Sequence, residues 1–410
     1  MKNVLMVIPF NNIYPPASGG MQRCFNLLNQ LCKHYHVTAL MSQDRESFFK
    51  SQSEFPAIKK CNIYSTKENK RIFDLFSFLP DKFANAIRFR LWNRSLSESA
   101  DHQYILLYPQ MKGILKNSSF DYVILEDMAI LNLSKLVRRI RPGIPVVYDA
   151  YNINSKLALV AREKGVISNS AYKHVERVET SLFKYGMKIF ACSQTDLEQL
   201  IEMNQGKLSG TVVPNGVGIS EIQRNPGMEI KKEPLEILFC GSIDYLPNTE
   251  GLTWFCKEVF PLVLTQIPDA KLSVVGRGIP GKELSGLLQN NSIINHGGVE
   301  RIDTYYRKAS IAIVPLLSGS GTRLKLMEAM AYKVPVVSTT IGAEGINYTD
   351  QNNILIADNP GLFANKVVEL LQDPQLANNI ANEAFLFVKS EYDWDIVGDK
   401  MADYLESLHN

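Results

Sequence analysis

A loop of small residues followed by two cations and a carboxylate is the part of this sequence best suited to chemistry. Residues 318–322 precede a predicted helix whose first turn carries Arg323 and Lys325, with Glu328 further along. Backbone N–H groups at a helix N-terminus attract anions. The helix dipole disfavours two cations at this end unless a polyanion neutralises them.

The same stretch offers a partner for a sugar ring. A carboxylate such as Glu328 can accept hydrogen bonds from both hydroxyls of a ribose. The backbone donors for a diphosphate would come from Ser320, Gly321 and Thr322. The set therefore predicts a site for a diphosphate and a ribose, the alternative being an amphipathic helix with solvated charges.

A second candidate loop follows the first apolar run, residues 4–10, where Gly19 and Gly20 precede another predicted helix. Two adjacent glycines let a ligand come close to the backbone and to the free N–H groups of the helix. A tight turn without a ligand is the alternative interpretation.

Both loops require parallel strands to position them. Short apolar runs bounded by turn residues alternate with longer helical patterns, which is typical of βαβ units. The predicted strands are residues 4–9, 37–40, 122–125, 146–148, 188–192, 211–213, 237–240, 271–275, 292–296, 311–315, 334–338 and 353–356. Ligands of such sheets bind beyond the carboxyl ends of strands, where the strand order reverses. We predict an α/β protein with two Rossmann-like, doubly wound domains facing across a cleft.

The length and punctuation of the chain predict where these domains divide. At 410 residues the chain exceeds one ordinary hydrophobic core. A polar segment rich in turn residues separates the two rounds of alternation. The predicted ranges are 1–217 for the first domain, 218–234 for a linker, 235–390 for the second domain and 391–410 for a C-terminal helix of unknown docking.

Composition excludes several other classes of protein. The net charge of +2 gives no field that favours a nucleic-acid partner. The six cysteines lack the paired spacing of a zinc site or the density of a secreted scaffold, which predicts reduced thiols in a cytoplasmic protein. The N-terminal apolar run is shorter than a spanning helix and has no cleavage site, so we interpret it as a buried strand.

The order of several short motifs resembles one family along nearly the whole chain. Residues 319–325 read Gly-Ser-Gly-Thr-Arg-Leu-Lys, and residues 328–331 and 335–338 read Glu-Ala-Met-Ala and Pro-Val-Val-Ser. The glycine pair at 19–20 and the segments 148–152, 213–217, 239–242 and 274–278 follow in the same order as in that family. The sequence closely resembles the large retaining glycosyltransferase family of GT-B fold called group 1, or family 4.

The resemblance implies a metal-independent, retaining transfer of a hexose from a nucleotide diphosphate sugar, without a cofactor. The acceptor would be a glycan or lipid-linked molecule in cell-surface polysaccharide or lipopolysaccharide synthesis. The first domain would bind the acceptor and the second the donor.

The resemblance also assigns roles to individual positions. It places Arg323, Lys325, Asp149 and Tyr151 in catalysis, and it places in donor binding Gly19, Gly20, Gly241, Ser242, Gly276, Arg277, Gly298, Val299, Ser320, Gly321, Thr322, Arg323, Lys325 and Glu328. The loop around Gly298 would frame the nucleobase, and His296 just before it is interpreted as a structural residue at a strand end.

Departures from the family pattern keep two alternatives open. Relatives commonly carry a glutamate where this chain has Ser320, a basic pair near Gly241 and Ser242, and a histidine at Tyr151. A tyrosine donates a hydrogen bond but is not a base near neutral pH. The alternatives are a non-catalytic subunit that binds nucleotide sugars and a sugar-nucleotide epimerase.

Residues 67–94 interleave basic and aromatic side chains. Such a segment suits the surface of an anionic membrane, where a lipid-linked acceptor would be found. This pattern predicts peripheral contact with the inner face of the membrane. The alternative is a pair of helices that pack their aromatic side chains inward.

Overall fold

The computed structural model describes residues 1–10, 13–16, 18–42, 48, 55–66, 104–224, 232–319 and 323–409. The basic aromatic segment at 67–94 and the loop residues Ser320, Gly321 and Thr322 lie outside these ranges. The chain divides into two compact units. Unit 1 is Met1–Pro214 with Val397–Asn410, and unit 2 is Asn215–Ile396. The predicted domain and linker ranges stay a prediction.

Unit 1 is built on a parallel sheet of seven strands in the order β3-β2-β1-β4-β5-β6-β7. The strands are β1 Asn3–Ile8, β2 His36–Met41, β3 Asn62–Ser65, β4 Tyr122–Glu126, β5 Val146–Ala150, β6 Lys188–Ala191 and β7 Gly210–Val212. The central strands are continuous apolar runs because helices cover both faces of a parallel sheet. In β1, Val4, Leu5 and Met6 are fully buried.

The described helices of unit 1 lie between these strands. They are α1 Gly19–His34, α2 Tyr104–Asn117, α3 Leu133–Ile140, α4 Asn154–Glu163, α5 Asn169–Glu179 and α6 Gln194–Met203. Ser18 caps α1, since its side chain accepts a hydrogen bond from the Met21 N–H.

Unit 2 repeats the scheme with six parallel strands in the order β10-β9-β8-β11-β12-β13. The strands are β8 Glu236–Cys240, β9 Lys271–Val275, β10 Ile293–Gly297, β11 Ile311–Val314, β12 Val336–Ser338 and β13 Leu355–Ile356. The described helices are α7 Ile219–Arg224, α8 Leu246–Trp254, α9 Phe260–Gln266, α10 Lys282–Leu287, α11 Asp303–Lys308, α12 Leu324–Ala331, α13 Pro360–Gln372 and α14 Pro374–Glu391.

The last helix, α15 Trp394–Ser407, belongs to unit 1 from Val397 onward. There the Tyr35 hydroxyl donates to the Ala402 carbonyl at 3.2 Å, and Lys2 forms an ion pair with Glu406 at 2.6 Å. No helix among the described residues is long and apolar enough to cross a membrane.

Strand order reverses once in each unit. In unit 1 the reversal lies between β1 and β4, and in unit 2 it lies between β8 and β11. Ligands of doubly wound sheets bind beyond the carboxyl ends of strands at this point. The predicted fold class, two Rossmann-like α/β sheets, is confirmed.

Candidate functional site

Glycines at the carboxyl ends of two neighbouring strands of unit 2 bring their backbones into direct contact. Gly241 follows β8, and its N–H donates to the Val275 carbonyl at 2.9 Å. A Cβ atom on Gly276, which follows β9, would lie 1.8 Å from the Gly241 carbonyl oxygen. Only glycine fits at position 276, so the loops after β8 and β9 can pack back to back. Ser242 and Arg277 are the exposed residues that follow.

Lys325 lies beside the same glycine. It is in the first turn of α12, and its Nζ donates to Asn248 Oδ1 at 2.6 Å and lies 4.7 Å from the centre of the Phe239 ring. Asn248 in turn donates from Nδ2 to the Ser242 carbonyl at 2.8 Å. A Cβ atom on Gly241 would lie 2.6 Å from the lysine amine. The amine is thus held against the backbone after β8.

Burial gives this amine an unusual acidity. The pKa of Lys325 is lowered to about 7, mainly because burial disfavours the charged form, and the nearby Arg323 cation adds to the effect. Glu328 acts in the opposite direction. An anion bound beside the amine would restore its charge, since an opposite charge favours the protonated form.

Arg323 immediately precedes α12, and its side chain is only 6% exposed. Its guanidinium donates from Nη2 to the Ile341 carbonyl at 3.3 Å and lies 3.6 Å from a carboxylate oxygen of Glu344. Gly319 approaches the same guanidinium, with an added Cβ atom 3.2 Å from Nη2. The loop after β11 and the segment after β12 therefore meet at this cation.

Glu328 lies one turn further along α12 and is half-buried. The Tyr306 hydroxyl donates to Glu328 Oε2 at 3.0 Å and also reaches the Lys325 carbonyl at 3.3 Å. The Tyr306 ring stacks on Tyr332, with 5.2 Å between ring centres. The carboxylate is therefore fixed in place rather than freely solvated. Sequence reasoning missed Tyr306, which occurs in the sequence as an ordinary aromatic residue of α11.

The predicted nucleobase loop follows β10. The Gly297 carbonyl accepts from the Gly276 N–H at 2.8 Å. A Cβ atom on Gly298 would lie 2.8 Å from Cγ of Arg277, so that side chain covers the loop. Val299 packs against the apolar core of unit 2. These residues join Gly241 and Lys325 along one edge of one sheet, because β10, β9, β8 and β11 are consecutive neighbours.

The structure brings a second group of predicted residues together in unit 1. Gly20 is the second residue of α1 and lies against the ring of Tyr151, where an added Cβ atom would be 3.4 Å from Cε2. The Tyr151 hydroxyl donates to Asp127 Oδ2 at 2.8 Å. Burial raises the pKa of Tyr151 well above its usual value, as does the Asp127 carboxylate. The hydroxyl thus stays protonated near neutral pH.

Asp127 was not predicted from the sequence. It directly follows β4, has a φ of 112° and accepts a hydrogen bond from the Ala129 N–H at 2.8 Å through Oδ1. A positive φ is uncommon for a residue with a side chain and occurs often at functional sites. The sequence offered one signal, an acidic residue at the carboxyl end of a buried strand.

Asp149 has a different environment from its neighbour Tyr151. Its side chain is fully buried, and both carboxylate oxygens accept from Arg23, at 2.8 Å from Nε and 2.6 Å from Nη2. This bidentate pair joins β5 to α1 inside unit 1. The structure thus gives Asp149 a structural partner, and its catalytic role stays a prediction.

Comparison with known sequences finds a family model that matches part of unit 2 and several relatives that match a larger part of the chain. Residues 234–373 match the family described as glycosyl transferases group 1. A protein of Klebsiella pneumoniae described as an uncharacterized 44.6 kDa protein in the cps region is 26% identical over 69% of this chain and 74% of its own length. The phosphatidyl-myo-inositol mannosyltransferase of Mycobacterium leprae is 21% identical over 74% of this chain and 77% of its own length.

Solved structures resemble the fold along the entire chain. The Anabaena protein HepE, crystallised with UDP and glucose, has a TM-score of 0.65 at 13% identity, covering 99% of this chain and 100% of its own. Sucrose-phosphate synthase of Thermosynechococcus elongatus has a TM-score of 0.68 at 15% identity, covering 100% and 99%. At these identities the likeness establishes a shared architecture.

Proposed function

Because this chain is a glycosyltransferase of group 1 with the GT-B fold, we propose that it transfers a sugar from a nucleotide diphosphate donor with retention of anomeric configuration. The observation that carries the proposal is that β10, β9, β8 and β11 of unit 2 end side by side along one edge of the sheet, here called the row of strand ends. Four neighbouring strands end in glycine loops, and the row finishes at Lys325 and Arg323.

The dimensions of this row suit an extended nucleoside diphosphate. Adjacent strands lie about 4.8 Å apart, so the step from β10 to β11 covers roughly 14 Å. The nucleobase would lie at residues 297–299, which we call the base loop. The ribose hydroxyls would donate to Glu328, which Tyr306 holds from one side at 3.0 Å. The diphosphate would then reach Lys325 and Arg323.

The two cations would act on the leaving group. Negative charge builds on the diphosphate as the glycosidic bond breaks, and cations fixed nearby stabilise that state more than the bound ground state. We propose that Lys325 and Arg323, with backbone donors of the adjoining loop, take the place of a divalent metal. The catalytic roles of both residues rest on this argument.

The acceptor would bind to unit 1 beyond the ends of β1, β4 and β5. The Tyr151 hydroxyl and the Asp127 carboxylate are joined there beside Gly20. A carboxylate can accept hydrogen bonds from sugar hydroxyls, and a phenol can donate hydrogen bonds to them. We propose a glycan or lipid-linked acceptor in cell-surface polysaccharide synthesis, which the cps-region and phosphatidylinositol relatives support. A cytoplasmic location and membrane contact through residues 67–94 stay predictions.

A panel of nucleotide sugars incubated with the protein tests the proposal. Release of a nucleoside diphosphate together with a glycoside that keeps the donor's anomeric configuration by NMR is the expected result. Inversion at the anomeric carbon would contradict the retaining mechanism. An epimerised donor, or tight binding without turnover, would contradict the transferase activity and favour an epimerase or a binding subunit.

A further inference from the structure

A row of three polar side chains, two buried and one half-buried, crosses one face of the unit 2 sheet next to the base loop. Glu236 of β8 and Ser273 of β9 are 8% and 4% exposed, and His296 of β10 completes the row. The same face is otherwise apolar, with Leu238 and Val275 in its core. A polar group buried on such a face lowers the stability of the fold unless it is hydrogen-bonded. The hydrogen-bond partners of these three residues therefore indicate what the row does.

The hydrogen bonds of this row run in one direction. The Ser273 hydroxyl donates to the Glu236 carboxylate, which leaves its oxygen free to accept. His296 Nε2 lies 2.9 Å from that oxygen and must carry the proton. Nδ1 is then the acceptor and faces the Tyr305 hydroxyl at 3.5 Å, with the two ring centres 4.7 Å apart. The imidazole is therefore oriented from both ends.

His296 is also the extra residue of a β-bulge. Asn295 pairs with Val274 and Gly297 pairs with Val275, so position 296 has no partner in β9. A bulge redirects a side chain and bends its strand. Here the bulge lies between Asn295 and Gly297, and Gly297 has a φ of 63°.

The bulge leads directly into the base loop. Gly297 and Gly298 have no side chains, so a nucleobase edge can be held here only by backbone N–H and C=O groups. The Gly297 N–H donates to Asn295 Oδ1 at 3.1 Å and its carbonyl accepts from the Gly276 N–H at 2.8 Å, which fixes one end of this pair of glycines. Hydrogen bonds weaken steeply with distance and angle, and glycine backbone is intrinsically mobile. Discrimination between bases therefore depends on the residues that hold these glycines in place, and His296 directly precedes them.

We propose that His296, held by Ser273 and Glu236, is the anchor that positions the base loop and so sets which nucleobase the donor site accepts. His296 acts through the loop and is a positioning residue. The proposal rests on the nucleotide-sugar function proposed above and deepens it. The chemistry recognised is the edge of a purine or pyrimidine base in a nucleoside diphosphate.

Isothermal titration with UDP, GDP, ADP and inorganic pyrophosphate tests the proposal, because pyrophosphate reports on the phosphate end alone. His296→Phe keeps a ring but removes both nitrogens, and Ser273→Ala removes the acceptor. Both variants should lose about fivefold to tenfold of the parent's preference for its best nucleobase, the range expected for one lost hydrogen bond. Pyrophosphate affinity should stay within about twofold of the parent value.

Two further variants serve as controls. His296→Gln keeps an N–H donor for Ser273 and should retain most of the preference. Lys282→Ala removes an exposed side chain from the same unit and should change neither the preference between nucleobases nor the affinity for pyrophosphate. The double variant His296→Phe/Ser273→Ala should lose no more preference than either single variant, since both break the same contact.

The outcomes distinguish a failure of this inference from a failure of the proposed function on which it rests. A parent protein that binds no nucleoside diphosphate contradicts the proposed function. If the parent discriminates between bases and both single variants are folded and equally selective, the role of His296 is contradicted. The proposed function is not affected by that result. Equal losses of affinity for pyrophosphate and for every nucleoside diphosphate would mean that the row only stabilises the unit. If His296→Phe fails to fold, Ser273→Ala decides.

Discussion

Arg323 and Lys325 provide the most direct test at the scale of single residues. If they stabilise the leaving diphosphate, Arg323→Ala and Lys325→Ala should lower kcat more than donor affinity. Loss of one preorganised donor of this kind lowers the rate by about 100-fold to 1,000-fold. We expect each variant to lose at least about tenfold in kcat at saturating donor while remaining folded.

A matched lysine in the same unit controls for general effects of charge. Lys282 is exposed at the start of α10, and Lys282→Ala should keep the parental kcat because solvated surface cations contribute little. Parental turnover in both the Arg323 and Lys325 variants would mean that the end of β11 is not the diphosphate site.

The lowered pKa of Lys325 predicts a pH dependence of donor binding. With a pKa of about 7 in the free protein, the amine loses its proton as pH rises, and a neutral amine attracts a diphosphate weakly. Affinity for the nucleoside diphosphate should fall about 15-fold between pH 7 and pH 8.5, following the fraction of protonated amine. Titration calorimetry across this range measures the effect.

Lys325→Arg separates this titration from other ionisations. Arginine stays charged throughout the range, so the variant's affinity should be flat between pH 7 and pH 8.5. The same slope in both proteins would assign the pH dependence to a different group.

Sequence reasoning at this scale found the residues that share one stretch of chain and missed their partners. Arg323, Lys325 and Glu328 were predicted because their spacing along one helix start is visible in the sequence. Asn248 was not predicted, because it lies 77 positions from Lys325 in the sequence although it accepts a hydrogen bond from the lysine amine. Tyr306 and Asp127 were missed for the same reason, since only the fold brings distant residues together.

At the scale of elements, Gly276 tests whether the paired strand ends matter. Gly276→Ala would place a methyl group 1.8 Å from the Gly241 carbonyl oxygen, and neither backbone can move without disrupting its strand. We expect the free energy of unfolding of unit 2 to fall by about 1–3 kcal/mol or more. Denaturant unfolding followed by tryptophan fluorescence, to which Trp254 and Trp394 of unit 2 contribute, measures it.

Gly286 offers the matched glycine substitution. It lies in α10 with no atom within 4 Å of an added Cβ atom, so Gly286→Ala should leave stability equal or raise it by about 0.5–1 kcal/mol. Equal stability of the two alanine variants would show that the close approach after β8 and β9 is not required.

The strands themselves were predicted well from hydrophobic runs. Each predicted strand corresponds to an observed one, although the ends differ, as for 334–338 against Val336–Ser338. The missed strand is β3, Asn62–Ser65, where only Ile63 and Ser65 are buried. A four-residue edge strand that alternates between solvent and core lacks the continuous apolar run that identified the others.

At the scale of the whole molecule, two sheets of the same type each carry predicted site residues at the reversal of strand order. The sequence predicted two such sheets because the alternation of strand and helix begins again near residue 237. It did not predict that residues from Val397 onward belong to unit 1. An amphipathic pattern shows which face of a helix is buried but does not identify the surface that covers it.

Turnover in excess EDTA tests the central claim most directly. If protein cations and backbone donors neutralise the leaving diphosphate, the protein should release nucleoside diphosphate and form a glycoside at the same rate with EDTA as without it. Loss of turnover in EDTA that is restored by Mg²⁺ or Mn²⁺ would contradict the account.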